Sequence, residues 1–160
     1  KPDEYSGYRK LDASKLLNAI LFLCRGGTLK TKLNKLLFYA DFKHFKEYTV
    51  SLTGARYVHL QYGPVPENYE FYFAELVSEK KLGIEEVQVA QYIGELCTAQ
   101  REPDIGAFLD SELKILAQVK EYFQNFNSSQ IKDFSHGERG YNETQADQDI
   151  SYRYAEYLQI

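Results

Sequence analysis

The 160 residues contain no tryptophan, no methionine, four prolines and only two cysteines. Two cysteines can form at most one disulfide. Cys24 and Cys97 both sit in apolar or strand-like surroundings and are read as buried, reduced thiols of a cytoplasmic protein. Long apolar runs are also missing. The longest, Ala19 to Cys24, falls far short of the roughly 20 residues that span a bilayer, and no signal-peptide pattern opens the chain, so no membrane partner is expected. There is no basic excess either. A net charge of -4 and a pI near 5.4 argue against nucleic-acid binding as the main role, although a local basic face is compatible with them. Repeats and low-complexity tracts are absent. The lack of methionine, with the opening Lys1-Pro2-Asp3-Glu4, is read as a fragment of a longer protein.

What is present is enough for one core. A 44% hydrophobic content over this length gives a single domain by default. The stretch Lys30 to Asn68 organises the rest. Leu33, Leu36, Leu37, Ala40 and Phe45 fall at helical spacing, and Phe38 and Phe42 widen the stripe until it nearly encircles the helix, which must be covered on more than one side. Lys32, Lys35, Lys43 and Lys46, with Tyr39 among them, are expected to share its one solvent face. Upstream, Lys1 to Lys10 reads as a linker or docking segment. Asp12 caps a helix through Leu16, Leu17, Ile20, Leu21 and Cys24 that stops at Gly26-Gly27, and Thr28 is expected to cap the central helix.

Beyond Tyr48 the alternation of Arg56 to Gln61 predicts a strand, pairing back toward Val50. Gly63-Pro64-Val65-Pro66 is expected to end it, with Pro66 opening a third helix that runs to about Lys81. Ile84 to Ala99 reads as a two-stranded ribbon. Asp110-Ser111-Glu112 opens a buried helix, Ser128-Ser129 a short one, and Ile150, Tyr154, Tyr157 and Leu158 recur at helical spacing near the end. The fold class is therefore α+β: a mainly helical single domain with a small antiparallel β element.

No catalytic set stands out. Gly26-Gly27 lacks the strand and the lysine of a phosphate loop, and neither a serine elbow nor a catalytic cysteine pattern occurs. Asp41 lies on the apolar side of the central helix, where a carboxylate must be paired. It is read as a structural acceptor for Tyr57, Arg56 or backbone amides, in preference to a base or a metal ligand with His44. His136, before Gly137, is a second structural polar group that bonds the helix end or closes over a neighbouring element. No metal and no cofactor is expected. Fourteen tyrosines suit a protein interface, and Tyr57, Tyr62, Tyr69 and Tyr72 cluster near the proline turn, either as core edge or as partner surface.

Three blocks in order carry a resemblance: Thr31-Lys32-Leu33-Asn34-Lys35-Leu36-Leu37-Phe38-Tyr39-Ala40-Asp41-Phe42, then Leu52-Thr53-Gly54-Ala55-Arg56-Tyr57, then Tyr62-Gly63-Pro64-Val65-Pro66-Glu67-Asn68-Tyr69. The sequence is similar to the Panacea antitoxin domain, the family that includes SocA-like antitoxins and phage-associated proteins. The likeness runs from about Leu11 to the end, giving a domain at 11–160. One departure is the tail, where many members carry tryptophan after the Ser-His pair and this chain has Tyr141. The resemblance implies a non-enzymatic domain that neutralises a cognate toxin protein by direct binding in a toxin-antitoxin system. The candidate contact residues are Lys32, Lys35, Tyr39, Tyr57, Tyr62 and Pro64. An alternative is a regulatory or adaptor domain attached to an N-terminal DNA-binding helix-turn-helix region, so DNA enters only through an upstream domain outside this chain. Homo-oligomerisation stays open. A third reading, a hydrolase or nuclease, requires Asp41, His44 and His136 to converge on one pocket.

Overall fold

The structure, a computed structural model, describes residues 1–160. Helix α1 (Ala13–Leu23) begins where the Asp12 carboxylate accepts the Lys15 N–H at 3.0 Å, the cap its sequence predicts. Thr28 does not cap the next helix. Its hydroxyl donates to the Leu23 carbonyl at 2.8 Å, and Thr28–Leu29 instead form the short strand β1. Helix α2 (Lys30–Tyr48) follows directly, with no side-chain cap on its first turn.

Strand β2 (Tyr57–Leu60) pairs antiparallel with β3 (Gly63–Pro66), Tyr57 opposite Pro66 and Leu60 opposite Gly63. The Gly-Pro-Val-Pro segment is therefore the second arm of a hairpin rather than the end of a strand, and β2 does not pair toward Val50. A two-stranded hairpin leaves each strand one edge that needs no ladder donor, which is how β3 accommodates two prolines. Helix α3 (Tyr69–Ser78) starts three residues after Pro66, behind Asn68 at φ 60.

The predicted ribbon is present as β4 (Leu82–Val89) and β5 (Tyr92–Ala99), in register from Leu82 opposite Ala99 to Val89 opposite Tyr92. β1 adds to the free edge of β5, giving the order β1-β5-β4. A short 3₁₀ turn at Ile105–Ala107 leads to α4 (Asp110–Tyr122). Helix α5 (Ser128–His136) is capped one residue earlier than expected: Gln130 N–H donates to Asn127 Oδ1 and Asn127 N–H to Gln130 Oε1, both at 2.8 Å. The one-turn α6 (Arg139–Asn142) and a 3₁₀ segment, Tyr152–Tyr157, close the chain.

α1, α4, α5, β3 and the final 3₁₀ segment all pack around α2. One contiguous hydrophobic cluster runs from Leu16 to Leu158 with Leu33, Leu36, Leu37, Phe38 and Phe42 at its centre. This is a single α+β domain, mainly helical, with small antiparallel β elements. No helix is long and apolar enough to cross a membrane. The first ten residues lie along the α2–β2 connection: Ser51 N–H donates to the Gly7 carbonyl and Tyr152 N–H to that of Glu4.

Candidate functional site

Covering α2 on nearly every side changes what its polar residues do. Asp41 is fully buried, and its carboxylate accepts the Thr53 N–H and the Thr53 hydroxyl, each at 2.7 Å. The Tyr57 hydroxyl lies 2.6 Å from Asp41 Oδ2 and 2.9 Å from the Leu37 carbonyl oxygen, yet it has one proton to give. If Asp41 is protonated, it donates to Tyr57 and Tyr57 donates to Leu37, so each group is satisfied. Burial accordingly pushes the Asp41 carboxyl up to about 6, against the pull of Tyr57 and Thr53. Arg56 takes no part, being paired with Asp3 at 3.0 Å.

The lysine line of α2 meets solvent chiefly toward its C-terminal end, where Lys46 is exposed and Lys43 half-buried. Lys35 is 2% exposed and Tyr39 not at all, because α4, α5 and the last segment close over that side. Tyr39 donates to Glu138 Oε2 at 2.7 Å, and Gln159 Nε2 donates to the same oxygen at 2.9 Å. Lys32 Nζ donates to the carbonyls of Phe123 and Phe126 at 2.8 and 2.7 Å, capping the end of α4. Lys46 does the same for Leu158 and Ile160. These ammonium groups close the ends of other elements, which leaves them little to offer a partner.

Among the other candidate contact residues Tyr57 and Pro64 are buried, and Tyr62 is 60% exposed. Tyr62 lines an open cleft of about 550 Å³ together with Tyr92 and Ile93 from the start of β5, both exposed, and Lys35 and Lys132. Lys132 Nζ lies 5.9 Å from the centre of the Tyr62 ring.

The histidines have different surroundings. His44 Nδ1 donates to the Val50 carbonyl at 2.7 Å, so Nε2 accepts from the Ser111 hydroxyl at 3.0 Å, and burial holds its pKa down. The His136 ring stacks on Tyr141, whose other neighbour is His59, with ring centres 4.6 and 3.8 Å away. Asp41 and His44 thus have separate hydrogen-bond partners, His136 Nε2 is buried with none, and the three form no common constellation. No three His, Cys, Asp or Glu side chains are grouped to hold a metal ion. Cys24 and Cys97 are free and buried, and contact with Cys97 together with burial holds the Cys24 thiol well above the usual range.

Residues 33–141 match the family model described as "Antitoxin SocA-like, Panacea domain". The chain belongs to this family. No curated protein and no solved structure is detectably similar to it. Membership in a family of antitoxin-like domains makes a toxin the expected kind of partner, and the matched segment covers α2 from Leu33, the β2–β3 hairpin, and Tyr62, Tyr92, Ile93 and Lys132 of the cleft.

Two buried carboxylates of this Panacea domain escaped sequence reasoning. Glu112 has a fully buried side chain that accepts from Arg9 at 2.6 Å and Lys15 at 2.9 Å, fastening the N-terminal arm and α1 to α4. Burial alone would raise its pKa, but the Leu109 N–H and these two cations outweigh it and hold it low. The only trace in the sequence is its place in the first turn of a helix. Glu138, which receives Tyr39, leaves none.

Proposed function

We propose that this Panacea domain neutralises a toxin by binding it directly, without chemistry of its own, through the face that Tyr62, Tyr92 and Ile93 expose. The observation that carries this reading is the family membership of residues 33–141. Supporting it, Lys32, Tyr39, Asp41 and Lys46 of the central helix are used up internally, whereas three large side chains stand exposed around one cleft. Interfaces of specific complexes are anchored by exposed aromatics of this kind. Lys132 beside Tyr62 adds a charge that selects the partner's surface. The domain acts in a toxin-antitoxin or phage-associated system, and its candidate contact set becomes Tyr62, Tyr92, Ile93 and Lys132 in place of the buried Lys35, Tyr39, Tyr57 and Pro64.

Growth rescue tests it. Expressing the product of the neighbouring reading frame alone should arrest a bacterial host, and co-expressing residues 1–160 should restore growth and co-purify the two proteins. A folded chain that neither rescues nor co-purifies would instead favour an adaptor serving an attached DNA-binding region.

A further inference from the structure

The floor of the cleft beneath Tyr62 has a composition that protein contact does not require. Lys35 comes from the interior of α2, and its stem is pinned by the β2–β3 turn: a Cβ added to Gly63, at φ +117, would lie 2.9 Å from Lys35 Cε and 3.0 Å from Ser135 Oγ. That close approach of backbone to stem requires a glycine. The side chain is thereby enclosed, yet its ammonium has one acceptor, the Thr31 carbonyl at 2.9 Å, and no carboxylate within ion-pair distance. Two of its three protons have no partner. An enclosed cation without a counter-ion is costly, and most proteins pair it.

The second cation, Lys132 on α5, also has no acidic partner. Burial first, then repulsion from Lys132, brings the Lys35 ammonium down to about 8. Lys30 and Glu95 line the cleft as well, but they neutralise one another at 3.2 Å, with Glu70 on the far side of Lys30 at 3.1 Å. The uncompensated charge on the floor is therefore positive, in a chain whose overall charge is negative.

Hydrogen-bond donors converge on the same place. Ser128 and Ser129, which line the cleft, are the first two residues of the nine-residue α5. Their backbone N–H groups have no acceptor inside the helix, because the Asn127 side chain caps the amide of Gln130 instead. The Ser128 hydroxyl accepts from Thr31 at 3.2 Å, so its own proton is free to be donated. The helix dipole adds to the preference for negative charge. Above this floor stand the exposed rings of Tyr62 and Tyr92, in a volume within the range of small-molecule sites.

We propose that the cleft binds a small phosphorylated ligand with an aromatic moiety, of the nucleotide class. Its phosphate is held by Lys35, Lys132 and the first turn of α5, and its ring lies against Tyr62 and Tyr92. Phosphate fits better than a single carboxylate because the donors number two ammonium groups, two amides and a hydroxyl arranged around one space. The site shares Tyr62, Tyr92 and Lys132 with the proposed contact face, but ligand binding is read on the isolated chain, so its failure is distinguishable from a failure of the neutralisation reading.

Thermal unfolding and calorimetry with three probes, pyrophosphate, ADP and adenosine, at fixed ionic strength decide the matter. Wild-type protein should be stabilised by pyrophosphate and more strongly by ADP, and left unchanged by adenosine. Lys35→Met should abolish both responses while raising the ligand-free melting temperature, because it removes an unpaired buried charge. Lys132→Met, at a more accessible position, should weaken binding about tenfold or more with the fold intact. Tyr62→Ala should erase the margin of ADP over pyrophosphate. The proposal is overturned if neither phosphate probe binds, if both lysine variants bind as wild type does, or if adenosine binds as tightly as ADP.

Discussion

Asp41 and Tyr57 share one short contact whose proton count depends on pH. In the unfolded chain an aspartate titrates near ~3.9, and in the folded protein burial carries Asp41 to about 6. Its folded pKa is the higher one, so the stability it contributes is complete below the unfolded value and is lost as pH rises through the folded one. The difference corresponds to about 3 kcal/mol in all, of which about 2 kcal/mol falls between pH 4 and pH 8. Asp41→Asn imitates the protonated acid, its amide donating to Tyr57 and its oxygen accepting from Thr53. Urea denaturation across that range should show Asp41→Asn gaining on wild type as pH rises, and parallel curves would refute the assignment. Glu112 is the opposite case, a buried carboxylate held ionised by Arg9 and Lys15. Glu112→Ala strands two partly solvated cations and should cost about 2–3 kcal/mol by denaturant titration at pH 7.

Among the elements, those governed by local pattern were legible and those governed by tertiary contact were not. The α1 cap at Asp12, the ribbon over Ile84 to Ala99 and the apolar wrapping of α2 follow from spacing and side-chain type alone. Gly63 to Pro66 misleads because prolines argue against a strand until it is known that the strand has a free edge. Thr28 misleads for a similar reason, since β5, some 70 residues later, claims its backbone. The lysines of α2 fall on one helical face as predicted, but whether that face meets water is decided by α4, α5 and the C-terminal segment. Helix α5 offers a local test. Asn127→Ala removes half of a reciprocal cap and should lower stability by about 1 kcal/mol, while Ser129→Ala, outside the cap, should change it by less than half of that.

At the scale of the whole molecule, the family was readable from three short blocks because they surround the central helix and its hairpin, the parts most constrained by packing. The contact surface was not readable, because exposure is a property of the assembled fold: of the six proposed contact residues, Tyr62 alone is prominent at the surface and Lys32 is spent on the end of α4. A surface anchored by a few exposed side chains concentrates binding energy there, so the effect of substitution should be large and local. Phe71, which is 64% exposed but does not line the cleft, provides the control.

The most direct measurement is the affinity of the purified chain for its toxin, compared among wild type, Tyr62→Ala, Ile93→Asp and Phe71→Ala, with melting temperatures recorded alongside. Direct neutralisation through this face predicts saturable binding that the first two variants each weaken by about 100-fold at unchanged stability, with Phe71→Ala close to wild type. Rescue of growth with no measurable association, or binding indifferent to Tyr62 and Ile93, would contradict it.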